Sequence, residues 1–173
     1  MGKLTLKDLK RLAKQPAASN PVVRVALIGD TATQFLATAL RGLGVAKGYN
    51  IDLFEAEYNQ VYQQFMDPDS ELYKHDAEFI VLFQSTHKLC EKHSMLSPQE
   101  QVSLASERLQ FVESVAETPA LVGKKIICLN YPEIEDTVFG SYANKVESSF
   151  TYQVRKLNFG LMELAQKHPN LFV

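Results

Sequence analysis

The chain has 173 residues, 46% of them hydrophobic and 22% charged, with a formal charge of −2. This is the composition of one globular domain, long enough to bury about 70% of its unfolded surface without a disulfide or metal staple. The balanced charge argues against a nucleic-acid module, and no apolar run reaches the roughly 18 residues of a membrane span.

Residues 4–15 are predicted to form a helix. Leu6, Leu9, Leu12 and Ala13 recur every three or four positions, Lys7, Lys10, Arg11 and Lys14 fall elsewhere, and Pro16 stops it. The N-terminal lysines precede no apolar stretch of signal-peptide type. Residues 17–21 read as a linker, so a helix and linker (1–21) precede an α/β domain (22–173). Within residues 3–24, Lys3, Lys7, Lys10, Arg11, Lys14 and Arg24 stand against Asp8 alone. The helix's apolar face is too short for firm membrane insertion.

Residues 22–28 (VVRVALI) are apolar and β-branched, the pattern of a strand buried on both faces. After Gly29-Asp30-Thr31, Phe35, Leu36, Ala39, Leu40 and Leu43 mark one face of a helix that Gly42 and Gly44 are expected to end. Residues 51–56 are predicted as a strand, and residues 59–66 as a short helix stopped by Asp67-Pro68-Asp69. Phe79–Phe83 is a second fully apolar strand. The charge reverses over residues 52–78, where Asp52, Glu55, Glu57, Asp67, Asp69, Glu71, Asp76 and Glu78 stand against Lys74.

Ser97-Pro98-Gln99-Glu100 is a helix start, with Ser as N-cap, Pro at N1 and Glu closing a capping box. Val102, Ala105, Leu109, Val112 and Ala116 predict that this helix runs unbroken to Thr118. Residues 125–129 (KIICL) give a fourth strand. Phe150, Val154, Leu157, Leu161 and Leu164 give the last helix, closed by His168-Pro169. Leu171-Phe172-Val173 begins a fifth strand. Cys90 and Cys128 form no C-x-x-C pair, which fits a reduced, cytoplasmic setting.

Strands alternating with helices predict a three-layer αβα fold of flavodoxin-like type, with a parallel sheet of about five strands in the order 2-1-3-4-5. Ligands of such folds bind beyond the carboxyl ends of the strands, where strands one and three diverge. The candidate binding residues are therefore Gly29, Asp30 and Thr31 after the first strand and Tyr58, Asn59 and Gln60 after the second. Gln84, Ser85, Thr86 and His87 follow the third, and Asn130 and Tyr131 follow the fourth. Thr31 has three readings: a helix cap with Gln34 at N3, a ligand-binding hydroxyl suited to an oxyanion or phosphate, or a nucleophile. His87 is the candidate base. The loop lacks the G-x-x-x-x-G-K-[ST] pattern of a nucleotide P-loop. His87, Cys90 and His93 share no helical face and read as solvated loop residues; no metal or cofactor is expected. The link over 131–146, with Glu133, Glu135 and Asp136 near its start, is long enough for a lid. Tyr142 or Asn144 is expected to turn towards the pocket.

Gly29-Asp30-Thr31 resembles the Gly-Asp-Ser block that opens the SGNH (GDSL) hydrolases. Four stretches in order, GDTATQFLATAL, EAEYNQ, DPDSELY and VFGSYANK, resemble something narrower. They are similar to the N-terminal domain that precedes the HAD-like phosphatase domain in FkbH-like proteins, over residues 22–173. The resemblance implies an SGNH-like fold working alongside a C-terminal HAD-like domain, which loads or modifies a small acyl or glyceryl-type group on a carrier. Thr31 stands at the SGNH serine position, Asn59 in the loop of the glycine block, and Gln84-Ser85-Thr86-His87 where a G-x-N-D block would stand. The D-x-x-H block would lie beyond Val173. The implied part for this chain is substrate or carrier binding, with Thr31 acting weakly in acyl-ester hydrolysis or transfer. The other reading is a non-catalytic module that binds a substrate or an acyl carrier protein. The basic first helix is correspondingly a solvated face or a docking surface for such an acidic carrier. Because the chain stops in mid-strand at Val173, it is expected to be part of a longer protein.

Overall fold

Eight consecutive residues from Val22 form the first strand of the structure, a computed structural model that describes residues 4–135 and 137–173. Lys3 and Asp136, two of the charged residues noted above, lie outside the described residues. The chain divides into two units, Met1–Phe83 and Gln84–Val173.

The first unit holds α1 (Leu6–Leu12), β1 (Val22–Gly29), α2 (Gln34–Ala46), β2 (Asn50–Glu55), α3 (Val61–Met66), α4 (Glu71–His75) and β3 (Phe79–Phe83). The second holds α5 (Thr86–Met95), α6 (Pro98–Gln101), α7 (Leu104–Ala116), β4 (Lys125–Cys128), a 3-10 turn (Gly140–Lys145), α8 (Phe150–Lys167) and β5 (Leu171–Phe172). The five strands form one parallel sheet in the order β2-β1-β3-β4-β5 with helices on both sides, the α/β fold that the alternation predicts. β1 pairs with β2 from Val22↔Asn50 to Leu27↔Glu55, and with β3 from Val25↔Phe79 to Gly29↔Phe83. Val25, Leu27, Ala37 and Leu53 form one hydrophobic core cluster of the first unit, and Leu36, Leu40, Ile51, Val81 and Phe83 pack on them.

Several elements differ from expectation, each for a local reason. α1 starts with a capping box of Thr5 and Asp8 and is already capped at Ala13, three residues before Pro16. α2 continues through Gly42 and Gly44 to Ala46. These glycines do not stop the helix; they let neighbours approach it. A Cβ at Gly42 would collide with the Leu9 backbone of α1, and one at Gly44 would lie 2.5 Å from Ile51 Cγ1. The predicted apolar face of α2 is only partly covered: Phe35 and Leu43 are exposed, and Lys10 Nζ sits 4.8 Å above the Phe35 ring.

α4 and α5 are additional helices. The loop reading of His87, Cys90 and His93 is therefore corrected: all three lie on α5. The helix expected to run from Ser97 to Thr118 is broken at Val102-Ser103 into α6 and α7. The Ser97–Glu100 capping box is present as predicted. The break arises because Gln153 of α8, itself buried, accepts the Ala105 N–H at 2.9 Å, a donor that a continuous helix would satisfy itself. Among the described residues, no helix is long and apolar enough to cross a membrane.

Candidate functional site

In the first unit, parallel pairing brings the carboxyl ends of β1 and β2 side by side at Leu27↔Glu55. Gly29 ends β1. A Cβ there would lie 2.8 Å from Thr33 Cγ2 and 3.2 Å from Phe83 O, so the bare backbone is what lets the chain turn at this point. Asp30 donates its N–H to Phe83 O at 3.3 Å. The cap expected at Thr31 falls instead on Thr33, and Thr33 does not use its side chain to cap. Thr33 is 4% exposed and donates its hydroxyl to Glu55 Oε1 at 2.5 Å. The helix thus begins two residues after the predicted position, and Thr31 remains half-buried in the turn before it.

Thr31, Thr33, Gln34, Glu55, Glu57 and Tyr58 line a cavity of about 500 Å³. Glu55 and Glu57 also line a neighbouring cavity of about 460 Å³, to which Asp67, Asp69 and Glu71 contribute carboxylates. The wall of the second cavity is knitted by buried amide bonds. Gln64 Oε1 accepts the Leu72 N–H at 3.1 Å, and Ser70 Oγ donates to Gln64 O at 2.7 Å. Tyr73 donates to Phe65 O at 2.7 Å, and burial holds its phenol above its ordinary range. Asn59 is exposed and adopts the left-handed conformation, with φ of 65°, at the turn into α3.

The Glu55 and Glu57 carboxylates that line the cavity with Thr31 repel an oxyanion or phosphate and accept hydrogen bonds from neutral hydroxyl groups or cations. Among the described residues, no histidine lines either cavity. Thr31 lies in the first unit and His87 in the second.

The second unit supplies the remaining predicted residues. Gln84 is buried and accepts from the Tyr131 hydroxyl at 2.8 Å. Ser85 is the N-cap residue of α5, without a side-chain cap bond. Thr86 is 3% exposed, and its Oγ1 is buried with no hydrogen-bond partner. His87 is exposed on α5. His93, in contrast, is buried, with Nε2 2.7 Å from Ser148 O and its ring edge-on to Phe150. Asn130 is exposed just beyond β4. The next residue, Tyr131, is held through its backbone: its N–H donates to Asn158 Oδ1 at 3.0 Å and its carbonyl accepts from Asn158 Nδ2 at 2.8 Å. Tyr142 is 60% exposed under Lys145, and Asn144 accepts from Arg155, whose guanidinium also forks onto Glu133 at 2.7 and 2.9 Å. The Arg155 guanidinium keeps the Glu133 carboxyl below its ordinary range.

Thr33, Glu55 and Glu57 are the cavity residues that residue type and position did not single out. The acidic run over 52–78 is the signal for Glu55 and Glu57, legible as charge but not as a cavity wall; nothing in the sequence marks Thr33.

The family model described as FkbH, N-terminal domain, matches residues 24–173. The structure is also similar to the crystal structure of the N-terminal part of a Bacteroides fragilis protein that contains a phosphatase domain, complexed with Mg. The TM-score is 0.94 at 52% sequence identity, covering 98% of this chain and 44% of that one. This chain therefore spans less than half of that protein's solved length. No curated protein matches it.

Proposed function

The chain belongs to the family of FkbH N-terminal domains, and from that premise we propose that it is the substrate-holding partner of a HAD-like phosphatase domain in loading or modifying a carrier. The group handled is a small acyl or glyceryl-type unit. The observation that carries this reading is the cavity at the ends of β1 and β2. Thr31, Thr33, Glu55, Glu57 and Tyr58 offer acceptors and hydroxyls to a neutral, hydroxyl-bearing group, and the carboxylates disfavour a phosphate. The phosphatase domain of the Bacteroides fragilis protein supports the partnership. An acyl carrier protein is the proposed carrier. Lys10, Lys14 and Arg41 edge a groove of about 380 Å³ between α1 and α2, a positive surface suited to an acidic partner. Asn59 is a proposed further substrate contact in the first unit, and Ser85, Thr86, Asn130, Tyr142 and Asn144 are proposed contacts in the second; a reduced, cytoplasmic setting suits the two free thiols.

The second reading is SGNH-type catalysis, with Thr31 as nucleophile and His87 as base. The position of Gly29-Asp30-Thr31 at the carboxyl end of β1 favours it. A threonine nucleophile needs a base within hydrogen-bond reach, and the residues lining its cavity include no histidine. Any ester chemistry is therefore weak.

The test is to titrate the protein with a glyceryl thioester and follow backbone amides by NMR, alongside ester hydrolysis by wild type and Thr31→Ala. Shifts centred on Thr31, Glu55, Glu57 and Tyr58 without hydrolysis are expected. Hydrolysis abolished by Thr31→Ala would establish the catalytic reading. Shifts confined to other surfaces would sink both.

A further inference from the structure

The last turn of α7 carries Glu113 and its C-cap residue is Glu117, and at i, i+4 the two lie on one helical face. His168 caps the C-terminal end of α8. The three side chains bring one ligand atom each to within 4.8 Å of one another. The His168 side chain is 12% exposed, and its Nε2 is buried without a hydrogen-bond partner. Glu113 Oε1 stands 3.6 Å from it, outside bonding range. A buried ring nitrogen left in this state costs free energy unless a water or an ion meets it.

The electrostatics at this point also call for a cation. Two helices end here, each presenting the negative pole of its dipole, and the carboxylates of Glu113 and Glu117 add to it instead of opposing it. Lys167 pairs with Glu113 and answers part of that charge, but it is 61% exposed and such pairs are weak. The donor set decides the class of ion. Carboxylates alone suit Mg²⁺ or Ca²⁺, whereas an imidazole with two carboxylates suits a borderline-soft ion.

We propose that Glu113, Glu117 and His168 form a zinc site that staples the end of α7 to the junction between α8 and β5. Ligand atoms on one zinc ion stand roughly 3.3–3.5 Å apart, so a small rotamer adjustment completes the protein's share, with water filling the remaining position. The consequence is structural. His168 lies three residues before Leu171, which pairs with Ile126 of β4, and Asn170 O accepts the Ile126 N–H at 2.8 Å. An ion held at His168 fixes the entry to the two-residue strand β5.

The experiment is isothermal titration of the protein with ZnCl₂ and, separately, MgCl₂, repeated on Glu117→Gln, His168→Gln and Lys167→Ala. One zinc ion per chain is expected. Each ligand variant should weaken it by more than the roughly 10–100-fold that loss of a mere supporting residue costs. Lys167→Ala should strengthen it, because the competing cation is gone; a misfolded variant would not produce this gain. Zinc should also slow amide exchange over residues 168–172. Glu117 is exposed, so its variant keeps the wild-type circular dichroism spectrum and separates ligation from folding. No zinc binding, binding indifferent to Glu117→Gln, or magnesium bound as tightly as zinc would overturn the proposal.

Discussion

Thr33 places its hydroxyl on the Glu55 carboxylate from a position almost closed to solvent. Thr33→Val keeps the shape and the Cγ2 contact beneath Gly29 but removes the donor. Hydrogen bonds to charged groups are worth about 1.5–3 kcal/mol, so urea unfolding of Thr33→Val should show a loss of that size, and Thr33→Ser a smaller one. A Val variant as stable as wild type would mean that water already satisfies Glu55. Asn158 works in a related way. Its amide meets both the N–H and the carbonyl of Tyr131, doing for one loop residue what a neighbouring strand does for β4. Neither role is legible in sequence, because each depends on a partner more than 20 residues away.

The glycines of α2 and α8 separate two kinds of close approach. At Gly42 an added Cβ meets the backbone of Leu9, which can yield only if α1 moves. At Gly160 it meets the Leu109 side-chain end, which can change rotamer. Gly42→Ala should therefore cost about 1–3 kcal/mol by overpacking and expose α1 to trypsin at Lys10, Arg11 and Lys14. Gly160→Ala should be milder, since a gain in helix propensity of roughly 1 kcal/mol offsets the repacking. Equal stability and equal tryptic protection in the two variants would show that α1 is not held through Gly42. The strands at 22–28 and 79–83 are legible because apolar runs of that length have few alternatives. α5 is not, because residues 86–95 bury Thr86, Leu89 and His93, of which only Leu89 is apolar.

Across the whole molecule, carboxyls are tuned down and one thiol is tuned up. Hydrogen bonds hold Glu133 (to Arg155), Glu113 (to Lys167), Glu100 (to Ser97) and Asp8 (to Thr5) below their ordinary values. Their folded values lie under the unfolded ones. The stability they add is present above the unfolded carboxylate range and is lost as pH falls through the folded values. Melting temperatures should hold steady from pH 7 to about 5 and drop below that; a flat profile to pH 3 would refute it. Burial pushes Cys128 from 9.0 up to about 12. Here the unfolded thiol ionises first, so its contribution is whole below pH 9.0 and fades as pH rises towards 12. At pH 8 a thiol reagent should label half-exposed Cys90 in the native protein and Cys128 only after unfolding, which mass spectrometry counts directly. The sheet order is legible from the alternation of strands and helices, crossover handedness and the precedent of flavodoxin-like folds. The acidic cavity was not, since the residues that line it read as ordinary surface charge until the strands pair.

The two outer strands bear on how the protein behaves in a crowd. A long, flat, unpaired edge is a template on which other chains can add and grow into aggregates. β5 is only two residues long, too short to seed such growth. β2 is longer, but Asp52 is exposed on it and the Leu53 carbonyl accepts from Arg41 at 3.2 Å. A foreign strand arriving there meets a side chain already bound to the backbone and a charge it must bury. The same features that end the sheet on each side therefore guard it against self-association during synthesis and at high concentration.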